Sequence, residues 1–120
     1  MLLRVQHVQI TIPAGMEESA REFYCTFLGL AEIPKPASLQ GRGGFWMQSD
    51  GFPIHVGTEE FDRTQTKAHI AYEVRNLEEW RAKLEDRGLK ILESVLIPGF
   101  DRFEFRDPFG NRVEFMEREK

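Results

Sequence analysis

The residues of this chain that could do chemistry are its three histidines and one of its glutamates, Glu114. His7 and His69 each lie in a segment where polar and apolar residues alternate, and each imidazole falls on the side opposite the apolar residues. His55 and Glu114 each lie between two apolar residues of a later segment, so they fall on the same kind of face. Imidazole nitrogen and carboxylate oxygen together suit a divalent metal ion such as zinc, nickel, cobalt, manganese or iron. The pattern therefore predicts that His7, His55, His69 and Glu114 share one metal ion.

The spacing of these four residues repeats within the chain. His55 follows His7 by 48 residues, and Glu114 follows His69 by 45. A single histidine in a strand is more often a hydrogen-bonded structural residue than a metal ligand. A sheet has no packing reason, however, to place three imidazoles and a carboxylate on one kind of face. The joint pattern favours a metal site over four unrelated structural residues.

The elements that would position these residues also occur twice. The first half of the chain predicts a strand at 5–12, a helix at 16–28 that ends near Gly29, a short strand near 30–33, and a hairpin with strands 45–49 and 52–58. The hairpin turns at Asp50-Gly51, and the Pro- and Gly-containing residues 34–44 predict a mobile connection.

The second half repeats this order. It predicts a strand at 67–74, a helix at about 77–87, and strands at about 90–97, 102–107 and 112–117. Asn76 and Glu79 have the spacing of a capping box at the start of the second helix. Each half therefore has the order βαβββ, with a first module at 1–60 and a second at 61–120. The fold class is α+β, in which the two repeats form a cupped mixed sheet with the helices on the outside.

Cross-strand counting adds further candidates around the predicted site. A three-residue loop within 107–111 pairs Glu104 with Glu114, so Glu104 is the candidate catalytic base. Counting through the first hairpin turn places Trp46 opposite His55, where it could form a wall of the substrate pocket. A salt-bridged position for Glu104 and a core or dimer position for Trp46 are the alternatives. The weaker candidates for substrate binding are Gln9, Gln48 and Arg102.

Several motifs resemble one known superfamily. They are Phe23-Tyr24 and Leu28-Gly29-Leu30 near the end of the first helix, Lys67-Ala68-His69, and the continuous stretch 107–115, DPFGNRVEF. Together with the doubled βαβββ unit they resemble the vicinal oxygen chelate superfamily, which contains glyoxalases, bleomycin resistance proteins and extradiol dioxygenases. The resemblance covers nearly the whole chain, and it implies that His7, His69 and Glu114 are metal ligands. It places His55 at the fourth ligand position, which is commonly Glu in enzymes of the glyoxalase I type.

The resemblance implies a metal-dependent enzyme that acts on a small molecule with two neighbouring oxygen atoms. Glyoxalase-like lyase or isomerase chemistry is the leading interpretation, although an imidazole at position 55 argues against a strict glyoxalase I. One alternative is a ring-cleaving dioxygenase, because His7, His69 and Glu114 alone form the set that non-heme iron(II) uses. His55 would then be an acid or base beside the metal. The other alternative is a metal-free drug-binding protein of the bleomycin resistance type.

The composition excludes several other classes of protein. The formal net charge is −4 and both signs are interspersed, so the sequence offers no surface for binding nucleic acid. The single cysteine excludes an intrachain disulfide and a Cys-rich metal site. No apolar run approaches the roughly 18 residues of a membrane span, and no glycine loop leads into a helix that could bind nucleotide phosphates. We therefore expect a cytoplasmic protein without a nucleotide cofactor, and the resemblance adds the expectation of a homodimer.

Overall fold

Each half of the chain folds into a four-stranded mixed sheet with one helix, as a computed structural model shows for residues Met1–Lys120. The chain divides into two compact units, Met1–Phe61 and Asp62–Lys120. Both units have the order strand, helix and three strands, which confirms the predicted βαβββ repeat. No helix is long and apolar enough to cross a lipid bilayer.

The first unit contains four strands, β1 (Val8–Ile12), β2 (Ala31–Ile33), β3 (Phe45–Ser49) and β4 (Phe52–Thr58). Helix α1 (Glu17–Arg21) continues as a π-helical segment, Glu22–Phe27, and a short 3₁₀ turn, Ala37–Leu39, lies in the connection to β3. The sheet order is β1-β4-β3-β2, with β1 parallel to β4 and the other neighbours antiparallel. The predicted hairpin turn is confirmed at Asp50-Gly51, where both residues have positive φ values, 49° and 78°.

The second unit repeats this arrangement with β5 (His69–Glu73), α2 (Leu77–Asp86), β6 (Leu92–Glu93), β7 (Phe100–Arg106) and β8 (Arg112–Arg118). A 3₁₀ turn, Arg63–Gln65, precedes β5. The sheet order is β5-β8-β7-β6, and β5 again runs parallel to the last strand of its unit.

One face of each sheet carries the hydrophobic core of its unit. The buried hydrophobic residues of the first unit are Ile12, Ala20, Phe23, Tyr24, Phe45, Met47, Ile54 and Val56, and those of the second are Leu77, Leu84, Phe103, Phe105, Val113 and Phe115. Trp80 of α2 contacts Phe115 of β8 edge to face, with 5.6 Å between the ring centroids, so this helix covers its sheet through aromatic packing. The opposite face of each sheet does not contribute to this core, and it carries His55 in the first unit and Glu114 in the second.

Strand β6 is shorter than the sequence predicts. The sequence predicts a strand at about 90–97, but the strand itself spans Leu92–Glu93, and beyond it Ile97 pairs with Phe100 of β7 as an isolated bridge. Beyond that point the carbonyl oxygen of Val95 accepts a hydrogen bond from Nε of Arg102, at 2.9 Å, instead of a strand N–H. The side chain of Val95 is 85% exposed. A side chain of the neighbouring strand thus takes the place of a strand N–H at Val95, between the pairing of Leu92–Glu93 and the bridge at Ile97, which alternation along the sequence cannot reveal.

The capping box expected at the start of α2 does not form. Asn76 adopts a left-handed conformation with a φ of 59°, and its side chain makes no capping hydrogen bond. The carboxylate of Glu117 on β8 instead accepts the backbone N–H groups of Asn76 and Leu77, at 2.8 and 3.1 Å. A strand residue therefore satisfies the free N–H groups at the positive end of the helix.

Glu117→Gln should destabilise the protein in a pH-dependent way. The N–H groups of Leu77 and Asn76 lower the pKa of Glu117 from its ordinary value of 4.5. Its contribution to stability is therefore present above about pH 4.5 and is lost as the pH falls through the lowered pKa. We expect the variant to melt a few degrees below the wild type at pH 7 and to approach it in more acidic solution. Thermal unfolding followed by circular dichroism measures both effects.

Glu119→Gln provides the control, because it removes an exposed carboxylate two residues further along the chain. We expect its melting temperature to stay close to that of the wild type at every pH. A loss as large as that of Glu117→Gln, or a loss that does not diminish in acid, contradicts the capping role.

Candidate metal centre

The parallel pairing of the first and last strands of each unit brings the predicted donors side by side. In the first unit His7 lies two residues before the β1 residue that faces His55 of β4. In the second unit His69 lies two residues before the β5 residue that faces Glu114 of β8. Each histidine therefore has the same diagonal offset from the second donor of its unit and shares its face.

Three rings stack at the first pair of donors. The ring of His55 lies 3.8 Å from that of Trp46 at an interplanar angle of 3°, and 4.0 Å from that of His7 at 20°. The register of β3 and β4 places Trp46 directly opposite His55, as predicted. Burial of the ring and, after it, the neighbouring His7 lower the pKa of His55. His55 is therefore kept as a neutral imidazole, which is the form that binds a metal ion.

His7 is held by a residue that sequence reasoning misses. Nδ1 of His7 lies 2.6 Å from Oε1 of Gln6, and an amide oxygen only accepts, so Nδ1 carries the proton and Nε2 carries the lone pair of the neutral ring. Histidine ligands of metals commonly donate their other ring N–H in this way. The sequence gives no signal for Gln6, because neighbouring residues of an extended chain are expected on opposite faces.

The second pair of donors is in direct contact. Nε2 of His69 lies 3.0 Å from Oε1 of Glu114, and Nδ1 of the same ring lies 3.0 Å from the carbonyl oxygen of Lys67. The carbonyl accepts, so Nδ1 carries the proton, and in the neutral ring Nε2 presents a lone pair to a carboxylate oxygen. Two acceptors at this distance repel each other unless a cation, either a proton or a metal ion, satisfies both.

The spacing of this pair also suits a metal ion. Two ligand atoms at about 2.1 Å from one ion, separated by angles of about 90 to 110°, lie about 3.0 to 3.4 Å apart. The 3.0 Å between His69 Nε2 and Glu114 Oε1 falls at the short end of that range. The residues present therefore fit a divalent ion in both chemistry and spacing.

Arg102 compensates the charge of Glu114. Glu114 is only 5% exposed, and its Oε2 accepts a 2.9 Å hydrogen bond from Nη1 of Arg102. The bond from Arg102 Nε to the Val95 carbonyl fixes the guanidinium in place. Arg102, predicted as a weak substrate contact, is thus engaged with the candidate ligand itself. This arrangement satisfies one oxygen of the buried carboxylate and leaves Oε1 directed at His69.

Glu104 lies directly opposite Glu114, as the predicted loop register requires. Its carboxylate is buried, and both of its oxygens accept hydrogen bonds. Ser94 Oγ donates to Oε1 at 2.9 Å, and Arg112 Nε donates to Oε2. The hydrogen bond from Arg112 is the largest of the effects that lower the pKa of Glu104 to about 2. So low a pKa makes the carboxylate a weak proton acceptor near neutral pH. The structure therefore does not favour the predicted role of catalytic base.

The predicted glutamines lie on the same face of the first sheet as His55. Gln9 is opposite His55, and its amide lies over Gly57, where an added Cβ would be 2.7 Å from Nε2. Gln48 of β3 is opposite Pro53 of β4. Both placements follow from alternation, because residues two positions apart in a strand share a face.

The predicted quartet of His7, His55, His69 and Glu114 is present as two pairs, one in each unit. Neither unit gathers three or more histidine, cysteine, aspartate or glutamate side chains around one point.

Sequence reasoning misses Ser94 and Arg112, the two partners of Glu104. Arg112 lies two residues before Glu114 on β8, so alternation already places it on the same face and contains a signal for it. Ser94 follows β6 in an irregular segment, and its contact depends on where that strand ends.

Comparison with known proteins identifies the family. A family model described as the Glyoxalase/Bleomycin resistance protein/Dioxygenase superfamily matches residues 4–115. The chain belongs to this superfamily. The resemblance to the vicinal oxygen chelate superfamily is thereby confirmed. No curated protein sequence matches this glyoxalase superfamily chain.

Solved structures extend the similarity over the whole chain. A glyoxalase family protein from Bacillus anthracis is 39% identical, has a TM-score of 0.86, and aligns over 99% of this chain and 98% of its own. A glyoxalase/dioxygenase from Nostoc punctiforme is 18% identical with a TM-score of 0.78, covering 98% and 92% of the two chains. The fosfomycin resistance protein FosX from Listeria monocytogenes, complexed with Mn(II) and sulfate ion, is 15% identical with a TM-score of 0.77, covering 99% and 93%. The last two similarities show the shared fold.

The pair of Glu104 and Arg112 gives a prediction about stability. Arg112→Leu leaves the buried carboxylate of Glu104 with less compensation and should lower the free energy of unfolding by about 2 kcal/mol. Adding Glu104→Leu should recover at least about 1 kcal/mol of that loss, because neither charge then remains. Urea unfolding of the wild type, both single variants and the double variant measures the coupling energy.

The exposed pair of Glu73 and Arg118, whose Oε2 and Nε are 3.0 Å apart, is the matched control. The same cycle of substitutions on this pair should give a coupling energy near zero, because water screens both charges. Strictly additive losses for Glu104 and Arg112 would show that their contact does not contribute to stability.

Proposed function

We propose that this protein is a metal-dependent enzyme that acts on a small molecule carrying two neighbouring oxygen atoms, with glyoxalase-like lyase or isomerase chemistry. His7, His55, His69 and Glu114 hold the divalent ion. The contact between His69 Nε2 and Glu114 Oε1 carries the proposal, because two acceptors 3.0 Å apart are the arrangement that a bound cation stabilises.

A complete site requires one donor pair from each unit. The pairs meet either within one chain or across two chains of a homodimer. In both cases a divalent ion is bound by three neutral imidazoles and one carboxylate, so the centre keeps a net charge of about +1. That charge favours a substrate whose oxygens carry or develop negative charge.

A divalent metal bound there polarises the two oxygens of the substrate and stabilises the negative charge that develops on them. The residues of this chain orient the donors. The Lys67 carbonyl holds the ring of His69, and Arg102 holds Glu114 through Oε2. Glu104 lies 3.6 Å from Nη1 of Arg102, so we assign it the role of positioning that arginine rather than moving a proton.

The comparisons support a metal site and a small ligand in general terms. One structure of FosX from Listeria monocytogenes is complexed with Mn(II) and sulfate ion, and that of its E126Q mutant is complexed with Mn(II) and 1S,2S-dihydroxypropylphosphonic acid. These proteins are 15% and 17% identical to this chain, so they support a divalent ion rather than a particular reaction.

A ring-cleaving dioxygenase is the second candidate, and the stacking of His55 favours it. The ring of His55 lies between those of Trp46 and His7 and is nearly parallel to both. The lone pairs of two parallel rings do not converge on one point, so His55 must rotate away from Trp46 to bind an ion together with His7. His7, His69 and Glu114 alone form the two-histidine, one-carboxylate set of non-heme iron(II) enzymes.

Metal content tests the proposed function. The wild type, supplied in turn with Zn(II), Ni(II), Co(II), Mn(II) and Fe(II) and then desalted, should retain at least one of them, as measured by mass spectrometry. His69→Ala and Glu114→Gln should each weaken binding of that metal at least about tenfold, because the first removes a donor and the second replaces a charged carboxylate donor by a neutral amide. Glu73→Gln, which neutralises an exposed carboxylate on the same strand as His69, should leave binding unchanged. A wild type that retains none of these metals contradicts the proposal and leaves the metal-free binding protein.

His55→Ala distinguishes the two candidate reactions. Loss of zinc, nickel or cobalt together with loss of hemithioacetal turnover supports the four-ligand lyase or isomerase. Retention of iron together with oxygen uptake on catechol supports the dioxygenase.

Mixing two inactive variants shows how the site is assembled. If each site takes His7 from one chain and Glu114 from the other, a mixed dimer of His7→Ala and Glu114→Gln chains contains one intact site and one doubly altered site. At a metal concentration that leaves each variant alone unoccupied, random reassortment of equal amounts should then restore about a quarter of the metal bound by the wild type. A mixture that binds no metal indicates that each site lies within one chain.

A further inference from the structure

A cleft of about 390 Å³ opens beside the first pair of histidines. Apart from His7 and His55, it is lined by Gln6 and four apolar residues, Ile33, Leu39, Trp46 and Pro53. No arginine, lysine or carboxylate lines it. Its volume is near the lower end of the range of about 300 to 1,000 Å³ that is typical of small-molecule pockets. We refer to it below as the apolar cleft.

The strand register explains why these apolar residues lie beside the histidines. Ile33 of β2 is opposite Trp46 of β3, and Trp46 is opposite His55 of β4, so the three form one row across the sheet. Pro53 lies two residues before His55 and shares its face. Leu39 comes from the 3₁₀ turn Ala37–Leu39 in the connection between β2 and β3. The face of the sheet opposite the hydrophobic core therefore carries a second, half-buried apolar surface that ends at two metal donors.

A second cleft of equal volume, about 390 Å³, has a different character. It is lined by charged side chains that include Arg21, Glu32 and Lys35, and by no histidine. Those charges have partners, because Arg21 Nε lies 3.0 Å from Glu32 Oε1 and Lys35 Nζ donates to the Gly43 carbonyl at 2.8 Å. The two clefts share Ile33 and Trp46, but the charged side chains of the second cleft are paired with partners of their own, and none of them lines the apolar cleft.

We propose that the apolar cleft receives the body of the substrate, so that the two metal-binding oxygens are attached to an uncharged body, which is a flat ring or a short branched alkyl group. This inference rests on the proposed metal site and adds the class of compound. A ring in the apolar cleft contributes favourable binding free energy, because its apolar surface leaves water and it contacts the ring of Trp46. A carboxylate or phosphonate on the body would enter a cleft that offers no cation to pair with it, which is unfavourable.

Three hydroxamates test this specificity, because all three coordinate a metal through the same two oxygens. The full-length protein loaded with Mn(II) is titrated calorimetrically with acetohydroxamate, benzohydroxamate and 4-carboxybenzohydroxamate. We expect benzohydroxamate to bind at least about tenfold more tightly than either of the others, since it alone combines a ring with the absence of a tail charge. Equal affinities for acetohydroxamate and benzohydroxamate, or tighter binding of the carboxylated compound, overturn the proposal.

Substitutions at Leu39 locate the effect in the apolar cleft. Leu39→Asp should weaken benzohydroxamate about tenfold and change acetohydroxamate less than about twofold, because only the ring reaches that position. Leu39→Lys should reverse the preference between benzohydroxamate and its carboxylated form. Leu96→Asp, at an exposed leucine between β6 and β7, is the matched control and should change neither affinity. If the ratios of the affinities for the three hydroxamates stay the same in both Leu39 variants as in the wild type, the proposal is overturned. Circular dichroism shows whether the variants are folded.

Metal-free protein separates a failure of this inference from a failure of the proposed function. The ¹⁵N-labelled protein without metal is titrated with benzyl alcohol and with benzoate, which carry the ring but do not chelate. Shifts of the Trp46 indole N–H and the Leu39 amide that are at least about fivefold smaller with benzoate support the apolar cleft even if no metal binds. Absence of shifts with benzyl alcohol, or larger shifts with benzoate, overturns the inference whether or not the protein binds Mn(II).

Discussion

The parallel pairing that closes each βαβββ unit is the constraint on which the candidate site depends. Parallel neighbours need a long connection, and here a helix and two further strands supply it, so donors 48 and 45 residues apart in sequence become neighbours in space. Because side chains alternate with a period of two, the same diagonal offset places His7 beside His55 and His69 beside Glu114. A slip of one residue in either register would turn a donor toward the core face. The hydrophobic core of each unit, which fixes the register, therefore also fixes the spacing of its donors.

The second sheet holds two carboxylates directly opposite each other on that face, an arrangement that is unfavourable without compensation. Nη1 of Arg102 lies 2.9 Å from Oε2 of Glu114 and 3.6 Å from Oε1 of Glu104. Nε of Arg112 donates a hydrogen bond to Oε2 of Glu104. The cations thus compensate both carboxylates and hold them in place while one oxygen of Glu114 faces His69. The same contacts make Glu104 a poor base, because hydrogen bonds that stabilise a carboxylate lower its affinity for a proton. The charged network that orients Glu114 therefore also makes Glu104 a weaker base.

The sequence was sufficient to predict the features that depend on residues close together in the chain, such as turns and the alternation of side chains along a strand. The Asp50-Gly51 turn sets the register that places Trp46 opposite His55, and alternation sets the faces. The errors arose where a distant side chain replaces a local partner. Glu117, 41 residues after Asn76 in the sequence, accepts the N–H groups that a capping box would satisfy. In the same way, a side chain of β7 donates a hydrogen bond to the Val95 carbonyl, where the predicted third strand of the second unit is interrupted. The proximity of Ser94 and Arg112, which decides the pKa of Glu104, likewise depends on tertiary structure that spacing alone does not contain.

The two units differ in what surrounds their donors, although their strand registers are equivalent. In the first unit the candidate donors are imidazole rings beside Trp46 and a cleft without charged side chains. In the second unit the donors lie among ion pairs that are largely removed from water. In the proposed site, one unit therefore compensates the charge of the metal and the other selects the body of the ligand. Because each set of residues rests on its own core, residues that line the cleft can change without disturbing the buried charges that orient Glu114. A scaffold divided in this way can accept different substrates while it retains one metal-binding arrangement.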